Sequence, residues 1–197
     1  MRIQHVRSNS IRGLGIAVAM VIAACEPAPD QDSVATEAPL DARIGNVATA
    51  ELRPSSGSTV SGSVNFAQLD EALRIEATVS GLTPGEHGLH LHENGDCSAA
   101  DASSAGGHWS PDDDPHGAPT DHPTEHHAGD LGNLTAGSGG MGNLVQEDAE
   151  LTLIGEYGVV GRAVVVHRGA DDLQSQPAGD AGEPVACGVV EWGTDSE

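Results

Sequence analysis

Short apolar runs separated by clusters of Gly, Ser, Pro and Asp make up most of the chain after residue 46. The segment 74–79 alternates apolar and polar side chains, which is typical of a strand with one buried face. No run shows the periodicity of a long amphipathic helix. The predicted strands are residues 47–52, 59–66, 73–79, 88–92, 144–147, 151–154, 159–167 and 185–192. We therefore predict an all-β domain, either an antiparallel sandwich or a barrel.

Two long stretches, residues 94–130 and 168–184, interrupt this pattern. Both have little strand character and are rich in Gly, Asp and Pro. Loops of this length in a compact domain are usually either functional or disordered. The first stretch carries five of the ten histidines, which favours a functional loop.

The first 25 residues have the pattern of an export signal. Three arginines precede an apolar run, residues 16–24, which fits the centre of a signal peptide and is too short to span a bilayer. The run ends in Ile22-Ala23-Ala24-Cys25, which resembles a bacterial lipobox. Cys25 is therefore the predicted lipidation site, and the alternative is an ordinary signal peptide cleaved near Ala24.

The rest of the chain divides into a tether and one domain. Residues 26–44 are polar, acidic and Pro-containing, without strand or helix periodicity, and are predicted to be a disordered tether. Residues 45–194 are enough for one domain with one core. The chain has three cysteines, an odd number for an exported protein, and a lipidated Cys25 would leave two.

The chain is strongly acidic, with a formal net charge of −22 and no lysine. Removal of residues 1–24 would leave five arginines against 30 acidic residues, a charge near −25. A field of this sign argues against nucleic acid as a partner and against electrostatic adhesion to anionic lipid. It also suggests a salty habitat, where screening weakens self-repulsion.

The histidine pattern predicts a metal site. His90 and His92 are two residues apart on a predicted strand, so their side chains leave the same face with Cα atoms roughly 6.6 Å apart. Such a pair alone is weak support for a metal site, because histidines on a solvated face are common. His167, which ends another apolar strand, and the histidines of the first loop strengthen the prediction.

Two ligand sets follow from these residues. His108, His116, His127 and Asp130 form a complete tetrahedral set for zinc with no open position, as in structural zinc sites. Four imidazoles suit Cu(II), and this second set is His90, His92, His108 and His167. Sharing His108 between the sets requires its ring to bridge the two metals as imidazolate.

Several motifs together resemble the Cu,Zn superoxide dismutases. They are Gly-Leu-His-Leu-His-Glu (88–93), Ser-Ala-Gly-Gly-His (104–108), His-Gly-Ala-Pro (116–119), His-Ala-Gly-Asp-Leu-Gly-Asn (127–133), Val-Val-His-Arg-Gly-Ala-Asp-Asp (165–172) and Ala-Cys-Gly-Val-Val (186–190). They occur in the family's order, and the resemblance covers nearly all of residues 46–193. With its lipobox-like segment, the chain is similar to bacterial, exported, lipoprotein-type members of the family.

The resemblance implies a fold and several site residues. The implied fold is a Greek-key, Ig-like β-sandwich or flattened barrel. The implied copper and zinc ligands are the two sets above. His108 is also implied to take up a proton and return it during catalysis. Asp171 matches a carboxylate that links copper ligand His90 to zinc ligand His116. Cys97 and Cys187 match the family's disulfide.

One position departs from the family pattern. The family places an Arg that binds superoxide three residues before the Cys of the last strand, and here that residue is Pro184. Pro has neither charge nor N–H. Arg168 could substitute only if its side chain turned into the mouth of the site, whereas a neighbour of His167 on a strand faces the opposite side.

The expected function is dismutation of superoxide to O₂ and H₂O₂ by copper with a structural zinc, protecting the cell envelope. The alternative is a superoxide-dismutase-like copper- and zinc-binding protein with little turnover, because of Pro184. The expected location is the envelope or periplasm, and Glu26 favours the outer membrane of a Gram-negative cell. Expected partners are the superoxide anion, the membrane only through the anchor, and a second copy in a candidate homodimer.

The remaining histidines are expected to have no metal role. His87 is predicted to make structural hydrogen bonds beside the copper strand. His122 and His126 are predicted to be solvated loop residues, and Asp172 likewise.

Overall fold

A computed structural model describes residues 46–193. The strands are β1 Val47–Pro54, β2 Ser61–Gln68, β3 Leu73–Ser80, β4 Gly85–His92, β5 Asp130–Ala136, β6 Gly142–Asp148, β7 Ala163–His167 and β8 Pro184–Trp192. Two short 3-10 turns, Ser103–Ala105 and Pro123–Glu125, lie between β4 and β5.

The strands close into a barrel in the order β1-β2-β3-β6-β5-β4-β7-β8, and the ladders between them are antiparallel. Pairing of β1 with β8 completes the closure. The β5–β6 ladder is the shortest of those in the described residues, with pairing only at Thr135–Asn143 and Ala136–Gly142. The chain crosses from β3 to β4 and returns through β5 and β6, which is a Greek-key path. The predicted all-β Greek-key fold is confirmed, in its barrel form.

Alternating apolar residues on the strands fill the inside of the barrel. On β3, Leu73, Ile75, Ala77 and Val79 are all buried, whereas the residues between them face outwards. Phe66 on β2 and Leu89 and Leu91 on β4 are fully buried in the same cluster. Burial of each such large side chain stabilises the fold by roughly 1.5–3 kcal/mol.

One strand was missed by the sequence pattern. Residues 130–136 form β5, although the predicted loop 94–130 includes Asp130 and no strand is predicted over 131–136. Their pattern is irregular because a bulge interrupts the β4–β5 ladder between Gly88 and His90. Gly132 sits in this bulge with a φ of +81°, a conformation that a side chain would strain. The bulge brings Asp130 directly opposite His90.

Two predicted strands are wrong in extent. Residues 151–154 form only an isolated bridge, between Thr152 and Gly158. Leu151 and Leu153 are nevertheless buried, so the apolar run reflects packing of a loop against the core rather than strand pairing. The predicted strand 159–167 begins only at Ala163.

The predicted signal segment, the lipidation site Cys25 and the tether lie outside the described residues. Within residues 46–193, no helix combines the length and apolar character needed to cross a bilayer.

Candidate metal centre

Four histidine rings converge on the outer face of the barrel wall, since His90 and His92 alternate along β4 with the core residues Leu89 and Leu91. β4 supplies His90 and His92, the end of β7 supplies His167, and the loop between β4 and β5 supplies His108. The ring centroids of His90 and His108 are 3.9 Å apart, and those of His90 and His167 are 5.0 Å apart. One nitrogen from each of the four rings lies within 4.8 Å of the others.

In each of these rings, one nitrogen forms a hydrogen bond and the other nitrogen has no hydrogen-bond partner. The buried atoms that make no hydrogen bond are Nδ1 of His90 and Nε2 of His92, His108 and His167. Leaving a buried polar nitrogen unsatisfied costs free energy, so an isolated case would need an explanation. Four that face one point have the arrangement expected of a metal site.

The partners on the far side of each ring fix its tautomer. His90 Nε2 lies 2.7 Å from Asp171 Oδ2, and the Nδ1 atoms of His92 and His167 lie 2.9 and 2.8 Å from the carbonyl oxygens of residues 106 and 182. Because these acceptors take the ring N–H, the lone pair of each ring is directed to the shared centre.

Burial keeps three of these rings neutral. It lowers the pKa of His90 and of His92 to about 3, and that of His167 to about 4. Neutral imidazole is the form that ligates a metal. At neutral pH these lone pairs are therefore available without removal of a proton.

A second cluster surrounds the carboxylate of Asp130. Its Oδ1 atom lies 2.9 Å from His108 Nδ1, 3.0 Å from His116 Nδ1 and 3.3 Å from His127 Nδ1. These separations are close to the edge of a tetrahedron with zinc–ligand bonds of 2.0–2.1 Å, which is about 3.3 Å. The other oxygen, Oδ2, accepts hydrogen bonds from the backbone N–H groups of His127 and residue 117.

The same interactions keep Asp130 ionised. Burial alone would raise the pKa of its carboxyl group, but the hydrogen bonds with His108 and His127 and the close contact with the His116 ring outweigh burial and hold the pKa far below its usual range. The carboxylate is therefore anionic throughout the neutral range, which suits a closed zinc site.

Asp171 forms a hydrogen bond with one histidine of each cluster. Its Oδ2 atom accepts a hydrogen bond from His90 Nε2 at 2.7 Å, and its Oδ1 atom accepts one from His116 Nε2 at 2.9 Å. Burial opposes ionisation of Asp171, but these two imidazoles hold its pKa below the usual range. Burial also opposes protonation of His116, yet the carboxylates of Asp130 and Asp171 raise its pKa to about 9.

Two side-chain amides, which the sequence pattern did not predict, hold the loops that carry Asp171 and His116. Asn133 on β5 donates to the Asp171 carbonyl at 2.9 Å and accepts from the Asp171 N–H at 2.8 Å. Gln176 makes the same reciprocal pair with the His116 backbone, at 2.8 and 2.9 Å. A Cβ at Gly179 would overlap both Asp171 Oδ1 and His116 Nε2, so the backbone packs directly on this pair. Asn133 could have been found in the motif 127–133, whereas Gln176 carries no such signal.

A disulfide joins Cys97 to Cys187, with a Cα–Cα distance of 5.8 Å. It ties the histidine-bearing loop to β8 across 90 residues of sequence. Cys187 is paired with Val165 on β7 in the sheet, two residues before His167. The covalent link therefore anchors the loop close to the first histidine cluster.

Among the described residues, no unpaired arginine at the opening of the site takes the place of the family's Arg. Pro184 opens β8 and is paired with His167 in the ladder. Arg168 is exposed, and its Nη2 atom lies 3.2 Å from Glu183 Oε2. Its positive charge is thus offset by an adjacent carboxylate.

The other histidines lie outside both clusters. His87 is on β4 itself and contacts the carbonyl oxygens of His167 and Thr83, each at 2.9 Å. His122 is exposed and caps the second 3-10 turn. The prediction that His126 is solvated is wrong: it is buried, and its Nδ1 atom lies 2.8 Å from the His127 carbonyl oxygen.

Comparison with known proteins shows which families and structures this chain is similar to. The family model for copper/zinc superoxide dismutase matches residues 60–190. The extracellular Cu-Zn superoxide dismutase of Caenorhabditis elegans is 40% identical over 135 residues, 66% of this chain and 60% of that protein. The copper chaperone for superoxide dismutase of Rattus norvegicus is 40% identical over 155 residues, 75% of this chain and 54% of that protein.

A solved structure shares the fold as well. The crystal structure of the clock protein EA4 superposes with a TM-score of 0.67 at 37% identity, covering 75% of this chain and 94% of that one. The two histidine clusters lie within the segment that matches the family model. Members of that family bind copper and zinc, and by this match the chain belongs to the copper/zinc superoxide dismutase family.

Proposed function

We propose that the protein dismutes superoxide with one copper and one zinc per chain. The copper ligands are His90, His92, His108 and His167, and the zinc ligands are His108, His116, His127 and Asp130. The observation that carries the proposal is the convergence of four buried ring nitrogens without partners, beside a carboxylate oxygen that three further imidazole nitrogens surround.

His108 is the proposed catalytic residue. Copper held by these residues would supply one-electron chemistry between Cu(II) and Cu(I), so that one superoxide is oxidised to O₂ and a second superoxide takes that electron and two protons to become H₂O₂. The Nε2 atom of His108 faces the copper set, while its Nδ1 atom lies 2.9 Å from Asp130. Nε2 is therefore the atom that would hold and deliver a proton while the rest of the ring stays fixed.

The zinc set and Asp171 have an organising role in this proposal. A closed set of four protein ligands leaves no position for substrate, which is the property of a structural zinc site. Asp171 holds one ring of each set, so movement of either loop would disturb both. Such partners typically change metal affinity or activity by 10–100-fold when they are removed.

The direct test is catalysis by the purified full chain loaded with copper and zinc. We expect superoxide to be removed over many turnovers by wild type, and not by the His92→Ala variant, whose copper set lacks one ligand. His122→Ala is the matched control, because His122 is an exposed histidine outside both clusters. Removal of only one superoxide per bound copper would overturn the proposal.

A second candidate function is binding of copper and zinc without efficient turnover. Two observations favour it: Pro184 stands at the family's Arg position, and Arg168 is paired with Glu183. One relative of this chain is itself a copper chaperone for superoxide dismutase. Stoichiometric reaction with fully bound copper is the result that would support this candidate.

We further propose that the protein is exported and held at the cell envelope by lipid on Cys25, with residues 26–44 as a tether to the domain. Support comes from the signal-like sequence 1–25, from the Cys97–Cys187 disulfide, which is typical of oxidising compartments, and from the extracellular relative. The Cys25→Ser variant should move from the membrane fraction to the soluble fraction. If the wild-type protein is found wholly in the soluble fraction, an ordinary signal peptide remains as the interpretation of residues 1–25.

A further inference from the structure

The segment that carries His108 lies against the end of β4. Trp109 N–H donates to the Leu91 carbonyl at 2.9 Å, and Glu93 N–H donates to the carbonyl of the residue before His108 at 3.1 Å. His92 and His108 are therefore paired across this short ladder. The unpartnered Nε2 atoms of these two rings both face the copper set.

A single side chain holds the residues that follow these two histidines. The guanidinium carbon of Arg162 lies 3.6 Å from the centroid of the Trp109 ring. Its Nη1 atom donates to the Glu93 carbonyl at 3.2 Å, and its Nε atom donates to the Gly158 carbonyl at 3.1 Å. Trp109 itself is only 4% exposed and belongs to the main core cluster.

These contacts place Arg162 at both ends of the ladder. It stacks on the residue after His108 and hydrogen-bonds the residue after His92, while its own backbone is fixed to β8 through the Val190 N–H at 2.8 Å. We infer that Arg162 and Trp109 are positioning residues that set the separation of His92 and His108, and with it the geometry of the copper site. This inference rests on the proposed function.

The chemistry of arginine suits this task. A planar guanidinium can stack on an indole face and still direct N–H groups in its own plane to two carbonyl oxygens. Lysine keeps the positive charge but has no plane to stack. Methionine keeps a similar length without any donor. The three side chains therefore separate the contributions of stacking, charge and packing.

The test measures copper binding and its spectrum rather than activity. Cu(II) is titrated against a competing chelator into the zinc-loaded full chain, and the EPR spectrum of the bound copper is recorded. Arg162→Met should weaken copper binding by roughly tenfold, the lower range for residues that orient ligands, and should change the copper hyperfine splitting. Arg162→Lys should fall between Arg162→Met and wild type.

Matched variants separate positioning from packing and charge. Trp109→Phe keeps a ring under the guanidinium and should stay close to wild type, whereas Trp109→Leu should behave as Arg162→Met does. Arg53→Met removes an exposed positive charge from β1 and should change neither readout.

The possible results distinguish failure of this inference from failure of the proposed function. Wild-type copper affinity and EPR spectrum in Arg162→Met would overturn it, even with a lowered melting temperature, because that result describes a packing residue. If Arg162→Met does not fold, an unchanged spectrum in Arg162→Lys overturns it. A wild type that binds no Cu(II) overturns the proposed function and this inference together.

Discussion

At the scale of single residues, His108 is the point where the two clusters meet. Its Nε2 atom belongs to the group formed with His90, His92 and His167, and its Nδ1 atom lies 2.9 Å from Asp130. The remaining ligands each belong to one group only. Substitution of a residue unique to one group should therefore empty one site and spare the other.

The His90→Ala variant should lose copper and keep zinc. His90 contributes an unpartnered Nδ1 atom to the copper set and none to the zinc set. Elemental analysis after loading with both metals should give about one zinc and nearly no copper per chain. Full copper occupancy in this variant would show that His90 is not a ligand, and His122→Ala serves as the control with both metals retained.

The Pro184→Arg variant should dismute superoxide faster than wild type. It would restore a fixed cation at the mouth, where Arg168 is already paired with Glu183. The gain should be larger at low ionic strength, because salt screens the field of one added charge. The rate constant is measured by superoxide decay in fast kinetics.

Pro184→Gln is the control, since it makes the same backbone change without the charge. Equal gains in both variants would assign the effect to the backbone. No turnover in either, with copper fully bound, would support the metal-binding candidate function instead.

At the scale of elements, the barrel strands and two long loops build the site together. The loop between β4 and β5 supplies three of the zinc-set residues, and Asp130 begins β5. The loop between β7 and β8 grips His116 through the Asp171 carboxylate and the Gln176 amide. Order in the first loop should therefore depend on the metal and on the second loop.

The Asp130→Ala variant should lose zinc and become less stable. Zinc present at 100 times its Kd stabilises the folded state by about 2.7 kcal/mol, so its loss should lower the melting temperature by roughly 5–10 °C. Calorimetry with zinc analysis measures both effects. Asp121→Ala, an exposed carboxylate in the same loop, should keep zinc. Unchanged zinc content in Asp130→Ala would contradict the assigned zinc set.

The sequence pattern predicted the parts of the fold with regular alternation, such as β3, where every second side chain is buried. It missed β5 because the bulge at Gly132 breaks the alternation. It also assigned His126 to solvent, since nothing local shows that the loop folds back over this ring. The clamp of Gln176 on His116 joins residues 60 positions apart, and only the three-dimensional path of the loops brings them together.

At the scale of the whole molecule, the acidic surface opposes the approach of an anion. The chain carries a formal charge of −22 and no lysine. A field of this sign lowers the local concentration of superoxide unless fixed cations at the mouth offset it. In a saline environment, dissolved ions would screen the surface charge and weaken the repulsion of superoxide.

The wild-type dismutation rate should consequently rise with salt. Between about 10 mM and 300 mM of a non-coordinating salt, the Debye length falls from roughly 30 Å to below 8 Å, so repulsion is largely removed. We expect an increase of about a few-fold, measured by superoxide decay with copper occupancy held constant. A rate that falls with salt would show that a local positive field, not the overall charge, governs approach.

The proposed function depends on two metals that occupy the two histidine clusters and share His108 as a ligand. Anomalous diffraction at the copper and zinc edges, from crystals of the full chain loaded with both ions, tests it most directly. We expect a copper peak among His90 Nδ1 and the Nε2 atoms of His92, His108 and His167, and a zinc peak beside Asp130 Oδ1. A copper or zinc peak at any other place, with these clusters empty, would contradict it.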